Sequence, residues 1–262
     1  MEKIAVVTDT GSNLSFAQAK ELGIYLLPLQ ITIDETTYQD TLEISTQDIY
    51  NELANGKMPK TSMAAYQKIY DLFEELKKDY DTIFAVPLTN GLSTNASTMQ
   101  SIARELEMNV HVIDMYATCA LEKHVAIWIK KLVDEHKSSE EILKIIQPAI
   151  DESNSLILVK NLQHLKRGGR LTPMAAALAG LLKIYPVLHI NKSTEGRIDV
   201  LNKVRTEKRA DAYAIDKIMD DIDIQHTHIY IIHSNFLEGA NHFKKCFIEK
   251  GVPEQNIHID YI

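Results

Sequence analysis

The chain has 262 residues, of which 45% are hydrophobic, and its formal net charge at pH 7 is −8. This length suits one large or two modest domains, and the hydrophobic content excludes a disordered chain. The acidic balance argues against a general nucleic-acid-binding protein, which needs a basic surface. The longest apolar run, MAAALAGLL, is far shorter than a membrane span, and the N-terminus lacks the pattern of a signal peptide.

The N-terminal half alternates between strand and helix patterns. A buried strand, KIAVVTD, is followed by Ser15 and Gln18, whose capping-box spacing predicts a helix that Gly23 ends. Further strands are predicted at IYLLPLQITI, DTIFAVPLT and NVHVID. Helices are predicted after Ser45, from KTSMAAYQK, after TNGLST, at LEKHVAIWIKKLVDEHK and after Ser138. This alternation is typical of a mostly parallel sheet with helices on both faces.

The pattern changes after about Asp151. The strand SLILVKN precedes a basic turn and a small apolar helix at residues 174–182, and IYPVLHINKSTEGRIDVLNKV predicts a hairpin with Gly196 in its turn. Two helix–strand pairs complete the chain. We therefore predict an α/β protein with two α/β domains, residues 1–153 and 154–262.

Sequence motifs for catalysis and for metal binding are mostly absent. The chain has no Walker A loop, no G-x-G-x-x-G, no HExxH and no CxxC. His226 and His228 would share one strand face, but two histidines without a nearby carboxylate or cysteine set are a weak metal signal, so neither a metal nor a cofactor is expected. The two separate cysteines, Cys119 and Cys246, predict a reduced cytoplasmic protein.

Polar residues follow the first strand, at the edge where open α/β sheets bind ligands. Asp9 and Ser12 either line a ligand site or satisfy the amide groups of a turn, and we favour the turn for Asp9.

Two hydroxyl-containing segments stand at predicted helix starts. KTSMAA contains Thr61 and Ser62, and TNGLST contains Asn90, Gly91 and Ser93. Helix N-termini bind carboxylates and phosphates readily, and a glycine lets the backbone approach a ligand closely. One such cap is routinely structural. Two caps, each followed by an apolar helix, suggest a ligand with an anionic head and an apolar tail.

The segment KRGGRLTP places three basic side chains beside the small apolar helix. Thr172 and Pro173 are a suitable N-cap and first residue for that helix. The basic cluster leaves four alternatives open, namely a phosphate site, a membrane contact, a partner surface and a structural turn.

Several segments together resemble the DegV family of bacterial fatty-acid-binding proteins. In order, these are VTDTGSNL, TSMAA, TNGLST, LKRGGRLTPMAAALAGLLKIYPVLHI, EGRIDVLNKVRTEKRA and IIHSNFLEGA. The resemblance covers nearly the whole chain and implies a two-domain α/β fold that holds one long-chain fatty acid in a tunnel between the domains. It implies a carrier without its own catalytic site. The implied partner is a fatty-acid kinase, which converts the presented carboxylate into an acyl-phosphate for phospholipid synthesis.

The resemblance also assigns roles to residues. It implies that the fatty-acid carboxylate is bound by Thr61, Ser62, Asn90, Gly91 and Ser93. It implies that Ala176, Ala179 and Leu182 line the acyl tunnel, and that Lys166, Arg167, Arg170 and Arg205 face the partner or the arriving phosphate. The second motif reads TSMA where most members have Thr-Ser-Gln-Pro. The His- and Gly-rich tail of most members is absent after Ile262, which bears on exchange of the carboxylate.

Two other functions stay open on the sequence. One is a small-molecule kinase or transferase that uses an interdomain cleft, and the other is a non-catalytic regulator. No nucleic-acid partner is expected, whereas transient contact with a membrane surface stays open.

Overall fold

The computed structural model describes residues 2–181 and 183–262. The chain divides into two compact units. The first runs up to Ser153 and includes Asn191–Gly196, and the second comprises Asn154–Ile190 and Arg197–Ile262. The division into domains at residues 1–153 and 154–262 stays a prediction.

The first unit contains two sheets. Its strands are β1 (Ile4–Asp9), β2 (Tyr25–Leu27), β3 (Gln30–Ile33), β4 (Thr36–Gln39), β5 (Lys60–Ser62), β6 (Thr82–Val86) and β7 (Asn109–Val112). The main sheet has the order β2-β1-β6-β7 and is parallel throughout, whereas β4-β3-β5 is a small antiparallel sheet.

Helices cover both faces of the main sheet. They are α1 (Phe16–Leu22), α3 (Tyr66–Leu76), α4 (Asn95–Glu105), α5 (Ala120–Asp134) and α6 (Ser139–Glu152), whereas α2 (Thr46–Ala54) packs through Ile49 against residues of the small sheet. Because side chains alternate along a strand, Val6 and Phe84 pack on one face with residues of α5 and α6, and Val7 and Ala85 pack on the other with residues of α3 and α4. The predicted α/β fold class is confirmed.

Three predicted helix starts are confirmed in detail. Ser15, Ser45 and Ser138 each accept the backbone N–H of the third helical residue, and the side chain of that residue accepts the N–H of the serine. Gly23 ends α1 with a left-handed backbone, φ of 67°. These caps satisfy amide groups that the first turn of a helix leaves unpaired.

A fourth predicted helix start is wrong. Thr61 and Ser62 lie in β5, where they pair with β3 opposite Ile31 and Gln30, and α3 begins only at Tyr66. The reason is tertiary pairing, because the backbone groups of these two residues belong to a sheet ladder and not to a helical turn.

The second unit contains two smaller sheets. Its strands are β8 (Asn154–Leu158), β9 (Tyr185–Asn191), β10 (Asp199–Val204), β11 (Ile229–His233) and β12 (Ile257–Tyr261), and its helices are α7 (Leu162–Arg167), α8 (Pro173–Leu178), α9 (Glu207–Asp221) and α10 (Leu237–Glu249). β9 and β10 form the predicted antiparallel hairpin, with Gly196 in its connection. β11 and β12 pair in parallel.

The small apolar helix is shorter than predicted. Thr172 caps α8 by accepting the N–H of Ala175, and Pro173 is its first residue, as predicted. The helix ends at Leu178 and not at residue 182, because Ala179 is extended and Gly180 has a φ of 101°. Throughout the two described ranges, no helix combines the length and the apolar character needed to cross a bilayer.

Candidate functional site

The loop between β6 and α4 carries three of the predicted carboxylate ligands. Asn90 is exposed, and its N–H donates to Oδ2 of Asp114 at 3.0 Å. Ser93 is half-buried, and its Oγ accepts the N–H of Asn95, the first residue of α4, at 3.1 Å. A serine hydroxyl has one proton to donate in addition to its acceptor lone pairs. The proton of Ser93 is therefore not used by this contact.

The buried side chain of Thr89 supports the same loop. The Thr89 side chain is fully buried, and its Oγ1 lies 3.4 Å from the N–H of Gly91. A Cβ built on Gly196 would lie 2.0 Å from this Oγ1. The absence of a side chain at Gly196 thus allows the hairpin connection to approach the loop, and this requirement was not evident from the sequence.

Met63 connects the second predicted segment, which contains Thr61 and Ser62, to the start of α4. Ser62 is exposed at the end of β5 and donates to Oε1 of Gln30 at 3.2 Å. The next residue, Met63, has its sulfur 3.3 Å from Oγ1 of Thr94 and 3.4 Å from Oγ1 of Thr98. The end of β5 and the N-terminus of α4 are therefore neighbours, although they are about thirty residues apart in sequence.

The residues directly before the helices that follow these two segments do not cap them, although Ser93 accepts the N–H of Asn95 in α4. Neither Ala65 before α3 nor Thr94 before α4 accepts an N–H of the first turn. α5 and α10 also lack such a cap, whereas α1, α2 and α6 have complete capping boxes. An uncapped N-terminus presents unpaired N–H groups and partial positive charge, which favour an anion.

A buried carboxyl group lies beneath the loop. Asp9 is fully buried at the end of β1, where Oδ1 accepts the N–H of Gly11 at 2.8 Å. Its Oδ2 accepts from the N–H of Leu88 at 2.9 Å and from the side-chain amide of Asn95 at 2.5 Å. The interpretation of Asp9 as a turn-satisfying residue is confirmed. Burial raises the pKa of Asp9, and these hydrogen bonds oppose that rise.

A second buried carboxyl group, Glu122, was not identified from the sequence. It lies in the first turn of α5 and is fully buried. Burial, and after it the charge of Asp9, raise the pKa of Glu122 well above its ordinary value. A signal was present, because Glu122 occupies the apolar stripe that continues at Val125, Ala126 and Ile129.

A pocket of about 330 Å³ lies beside Gln30. Its lining mixes apolar side chains with amide, hydroxyl and charged ones. It is lined by Pro28, Gln30, Thr37, Tyr38, Gln39, Glu43, Ala65 and Lys68.

The predicted basic turn is largely the end of a helix. Lys166 and Arg167 are the last two residues of α7 and are exposed, and Arg170 donates from Nη1 to the carbonyl of Gly168. Cations are favoured at a helix C-terminus, so part of this cluster has a structural cause. Arg205 is exposed in the turn between β10 and α9.

The predicted acyl-tunnel residues differ in their positions. Ala176 is half-buried within α8, whereas Ala179 is half-buried beyond the end of that helix. Leu182 lies outside the described residues. The tunnel itself stays a prediction.

The histidine prediction is wrong in its geometry. β11 begins at Ile229, so His226 and His228 precede the strand and do not share a strand face. Nδ1 of His226 lies 2.9 Å from Oδ2 of Asp223, and Nδ1 of His228 lies 2.8 Å from Nε2 of His258. Within residues 2–181 and 183–262, no group of three or more His, Cys, Asp or Glu side chains is arranged to hold a metal ion.

The fold and the site together define a class of protein. It is an α/β protein with a parallel sheet, and a hydroxyl-rich loop and the start of α4 follow the strand β6. The chain belongs to the DegV family, since the family model for the "uncharacterised protein, DegV family" matches residues 3–262. The resemblance stated from the sequence is confirmed.

Individual relatives agree with this assignment. A DegV domain-containing protein of Caldanaerobacter subterraneus is 32% identical over 246 residues, which are 92% of this chain and 86% of that protein. The fatty-acid-binding DegV family protein of Streptococcus agalactiae superimposes with a TM-score of 0.91 at 28% identity, over 100% of this chain and 93% of that chain. DegV of Bacillus subtilis, a fatty-acid-binding protein, gives 0.86 at 26% identity over the same shares.

Proposed function

We propose that this chain is a non-catalytic carrier that binds one long-chain fatty acid and presents its carboxylate to a fatty-acid kinase. The observation that carries the proposal is the contact of Met63 with Thr94 and Thr98. This contact joins two segments that the family resemblance assigned separately to carboxylate binding. The two similar structures of fatty-acid-binding DegV proteins support the same ligand class.

The chemistry of the site suits a carboxylate head. Ser93 accepts the N–H of Asn95 at the start of α4, which leaves its hydroxyl proton for a ligand, and Thr94 does not cap the helix. A hydrogen bond to a charged group contributes about 1.5–3 kcal/mol, and a helix N-terminus adds about 0.3–1 kcal/mol for an anion. In our proposal Ser93 donates to the carboxylate, and Ser62 does so once its hydroxyl turns away from Oε1 of Gln30. Asn90 and Gly91 shape the loop around the carboxylate.

The basic residues of the second unit are proposed to act toward the partner. Lys166, Arg167 and Arg205 are exposed cations in a chain with a net charge of −8. Exposed charge of this kind steers association more than it adds affinity. The acyl-phosphate is made by the kinase, so the carrier needs no catalytic residue of its own. A cytoplasmic location follows from this partnership and is part of the proposal.

The direct test is mass spectrometry of the protein purified from a bacterial host. We expect one long-chain fatty acid per chain, released by denaturation. A purified fatty-acid kinase should then form acyl-phosphate only when the loaded protein is added. A bound nucleotide or sugar would instead support an enzyme acting on a small substrate. A bound fatty acid without any kinase turnover would restrict the function to lipid binding.

A further inference from the structure

Two buried carboxyl groups next to each other lack a compensating cation. Asp9 and Glu122 are both fully buried. Among residues 2–181 and 183–262, no lysine, arginine or histidine forms an ion pair with either. Two like charges in a dry site are strongly disfavoured, so at least one group is protonated or a cation is bound.

Gly11 is what lets the two carboxyl groups share this site. A Cβ added at Gly11 would lie 2.7 Å from Oδ1 of Asp9 and 3.2 Å from Oε2 of Glu122. Both oxygens therefore lie against the same bare Cα. Any side chain at this position would push into one of them.

The hydrogen-bond donors identify which group carries the proton. Asp9 accepts three N–H donors, as an ionised carboxylate does. Oε2 of Glu122 has no N–H or O–H donor in the described part of the chain. Oε1 lies 3.2 Å from Oγ1 of Thr8, but the single proton of that hydroxyl points to the carbonyl of Val86 at 2.6 Å. An ionised Glu122 would thus be a buried anion without a donor.

We propose that Glu122 is a neutral carboxylic acid in the folded protein and that its O–H, donated to Asp9, is a positioning contact for the loop between β6 and α4. The part that concerns the ligand rests on the proposed function. The proton itself does not.

A short series of contacts links this proton to the loop. Asp9 holds the N–H of Leu88 at the start of the loop and the side chain of Asn95 at its end. The N–H of Asn95 is held by Ser93. Ionisation of Glu122 would place a second negative charge beside the carboxylate of Asp9. The repulsion would displace Asp9, which holds both ends of the loop.

Opposing influences on Glu122 are few. Its location in the first turn of α5 favours a negative charge. Burial, the carboxylate of Asp9 on β1 and the thiol of Cys119 just before α5 all favour the neutral form. Because the group is fully buried, these three effects outweigh the favourable effect of the helix N-terminus.

The first experiment compares Glu122→Gln with the wild type by chemical denaturation between pH 5 and about pH 9. A raised pKa means that the unfolded chain releases its proton near the ordinary value of 4.5 while the folded chain keeps it. Wild-type stability is then lost as pH rises above 4.5, until the folded pKa is reached. We expect the folding constant of Glu122→Gln, relative to the wild type, to rise about tenfold per pH unit over that window.

Glu141→Gln is the matched control. Glu141 occupies the equivalent third position of α6, but hydrogen bonds from Ser138 lower its pKa. Its contribution is therefore constant above pH 4.5 and is lost only below that pH, so its ratio to the wild type stays flat in the tested range. A flat ratio for Glu122→Gln as well would overturn the proposal, because it would mean that Glu122 is ionised in the folded protein.

A spectroscopic measurement covers the case in which Glu122→Gln does not fold. Infrared spectra of wild-type protein at neutral pH should contain the C=O band of a protonated carboxyl group. The band should shift when the glutamates carry ¹³C and should not shift when the aspartates carry it. Absence of the band, or loss of wild-type stability on treatment with a metal chelator, would overturn the proposal. Either result would indicate that Glu122 is ionised and that a bound cation balances the two carboxylates.

A third experiment measures stearic acid binding by both proteins across the alkaline range. We expect the wild-type dissociation constant to rise by at least tenfold as Glu122 ionises, and that of Glu122→Gln to change no more than that of Glu141→Gln. A pH-dependent stability ratio without any stearic acid binding would contradict the proposed function and leave the proton in place. Parallel alkaline losses in all three proteins would show that the proton does not position the loop.

Discussion

At Ser93 one hydroxyl serves both the helix and the proposed ligand. Its oxygen accepts the N–H of Asn95, and its proton is available to a carboxylate. We expect Ser93→Ala to weaken fatty-acid binding by about one to two orders of magnitude, since a hydrogen bond to a charged group contributes about 1.5–3 kcal/mol. Titration calorimetry with stearic acid measures the change.

A matched serine on the same helix provides the control. Ser97 is exposed in the first turn of α4 and donates to the carbonyl of Thr94 at 2.9 Å. Ser97→Ala should therefore bind as the parent does. Parent-like binding by Ser93→Ala would mean that Ser93 only supports the turn and that the head group is held elsewhere. Turnover by the kinase at saturating lipid should also fall in Ser93→Ala, because a misplaced carboxylate is attacked poorly.

Gly196 is constrained both by its backbone and by its neighbour. Its φ is 72°, and an added Cβ would lie 2.0 Å from Oγ1 of Thr89. We expect Gly196→Ala to lower the free energy of unfolding by roughly 2–4 kcal/mol, the sum of a left-handed alanine and a displaced core side chain. Gly56→Ala isolates the backbone part, because Gly56 has a φ of 82° and no atom within 4 Å of the added Cβ. Equal losses in both variants would show that Thr89 adjusts without cost.

Residues whose chemistry is local were predictable from the sequence. The serine caps and Gly23 depend only on neighbours within one helical turn, and their geometry follows the pattern. Thr61 and Ser62 were misplaced because their backbone partner, β3, is about thirty residues away. Glu122 was missed because a glutamate in a helix is usually exposed, and only its position on the apolar stripe indicates burial.

The end of α7 tests partner recognition at the scale of an element. Lys166 and Arg167 are exposed there and are proposed to face the kinase. Reversing both charges to glutamate should slow acyl-phosphate formation at limiting kinase, and the difference from the wild type should shrink as salt is added. The bound fatty acid should be retained.

Charge reversal elsewhere on the surface is the control that distinguishes partner recognition from an effect of the changed net charge. Lys131 and Lys144 are exposed on α5 and α6 of the first unit, and their reversal changes the net charge equally. Kinase turnover should be unaffected by that pair. Lipid loss with unchanged turnover in the α7 variant would contradict the assigned role.

The helix α8 tests the proposed acyl wall. Ala176 is half-buried and is expected to border the acyl chain, so Ala176→Phe should exclude longer fatty acids first. Ala177 is exposed on the same helix, and Ala177→Phe is the control. Competition between acids of different lengths measures the effect. If Ala176→Phe binds every length as the control does, α8 is not the wall.

Elements were predicted better than their ends. The alternation of apolar segments identified the parallel sheet and the β9–β10 hairpin. It missed the β3–β4 hairpin, whose turn begins at Asp34 with a φ of 54°, because the following strand TTYQ is largely polar and only half of it is partly buried. The end of α8 was placed too late because Leu and Ala favour a helix, whereas Gly180 adopts a φ of 101° that ends it.

At the scale of the whole molecule, the sequence could not assign every segment to its unit. Asn191–Gly196 lies within the second half of the chain, yet it belongs to the first compact unit. A boundary taken along the sequence assumes that neighbours in sequence share a unit. Gly196 and Thr89 contradict this assumption, because they approach each other closely although they are more than one hundred positions apart in sequence.

The balance between head and tail decides what the whole carrier selects. Burial of one methylene contributes about 0.8 kcal/mol, so a tail of about 14 methylenes offers roughly 11 kcal/mol before the costs of binding. This exceeds the contribution of the carboxylate contacts, about 1.5–3 kcal/mol each. Shortening the ligand by four carbons should therefore weaken binding by up to about 3 kcal/mol, or roughly two orders of magnitude. That loss should equal or exceed the loss in Ser93→Ala.

The experiment titrates saturated acids of increasing length into the wild type and Ser93→Ala. The methyl ester of the longest acid is the matched ligand control, because it keeps the tail and removes the charge. In the wild type the ester should lose about as much affinity as Ser93→Ala loses with the free acid, and in Ser93→Ala the ester should cost less. Affinities that do not change with chain length would show that the tail stays in solvent, and a head-group site alone would then account for binding.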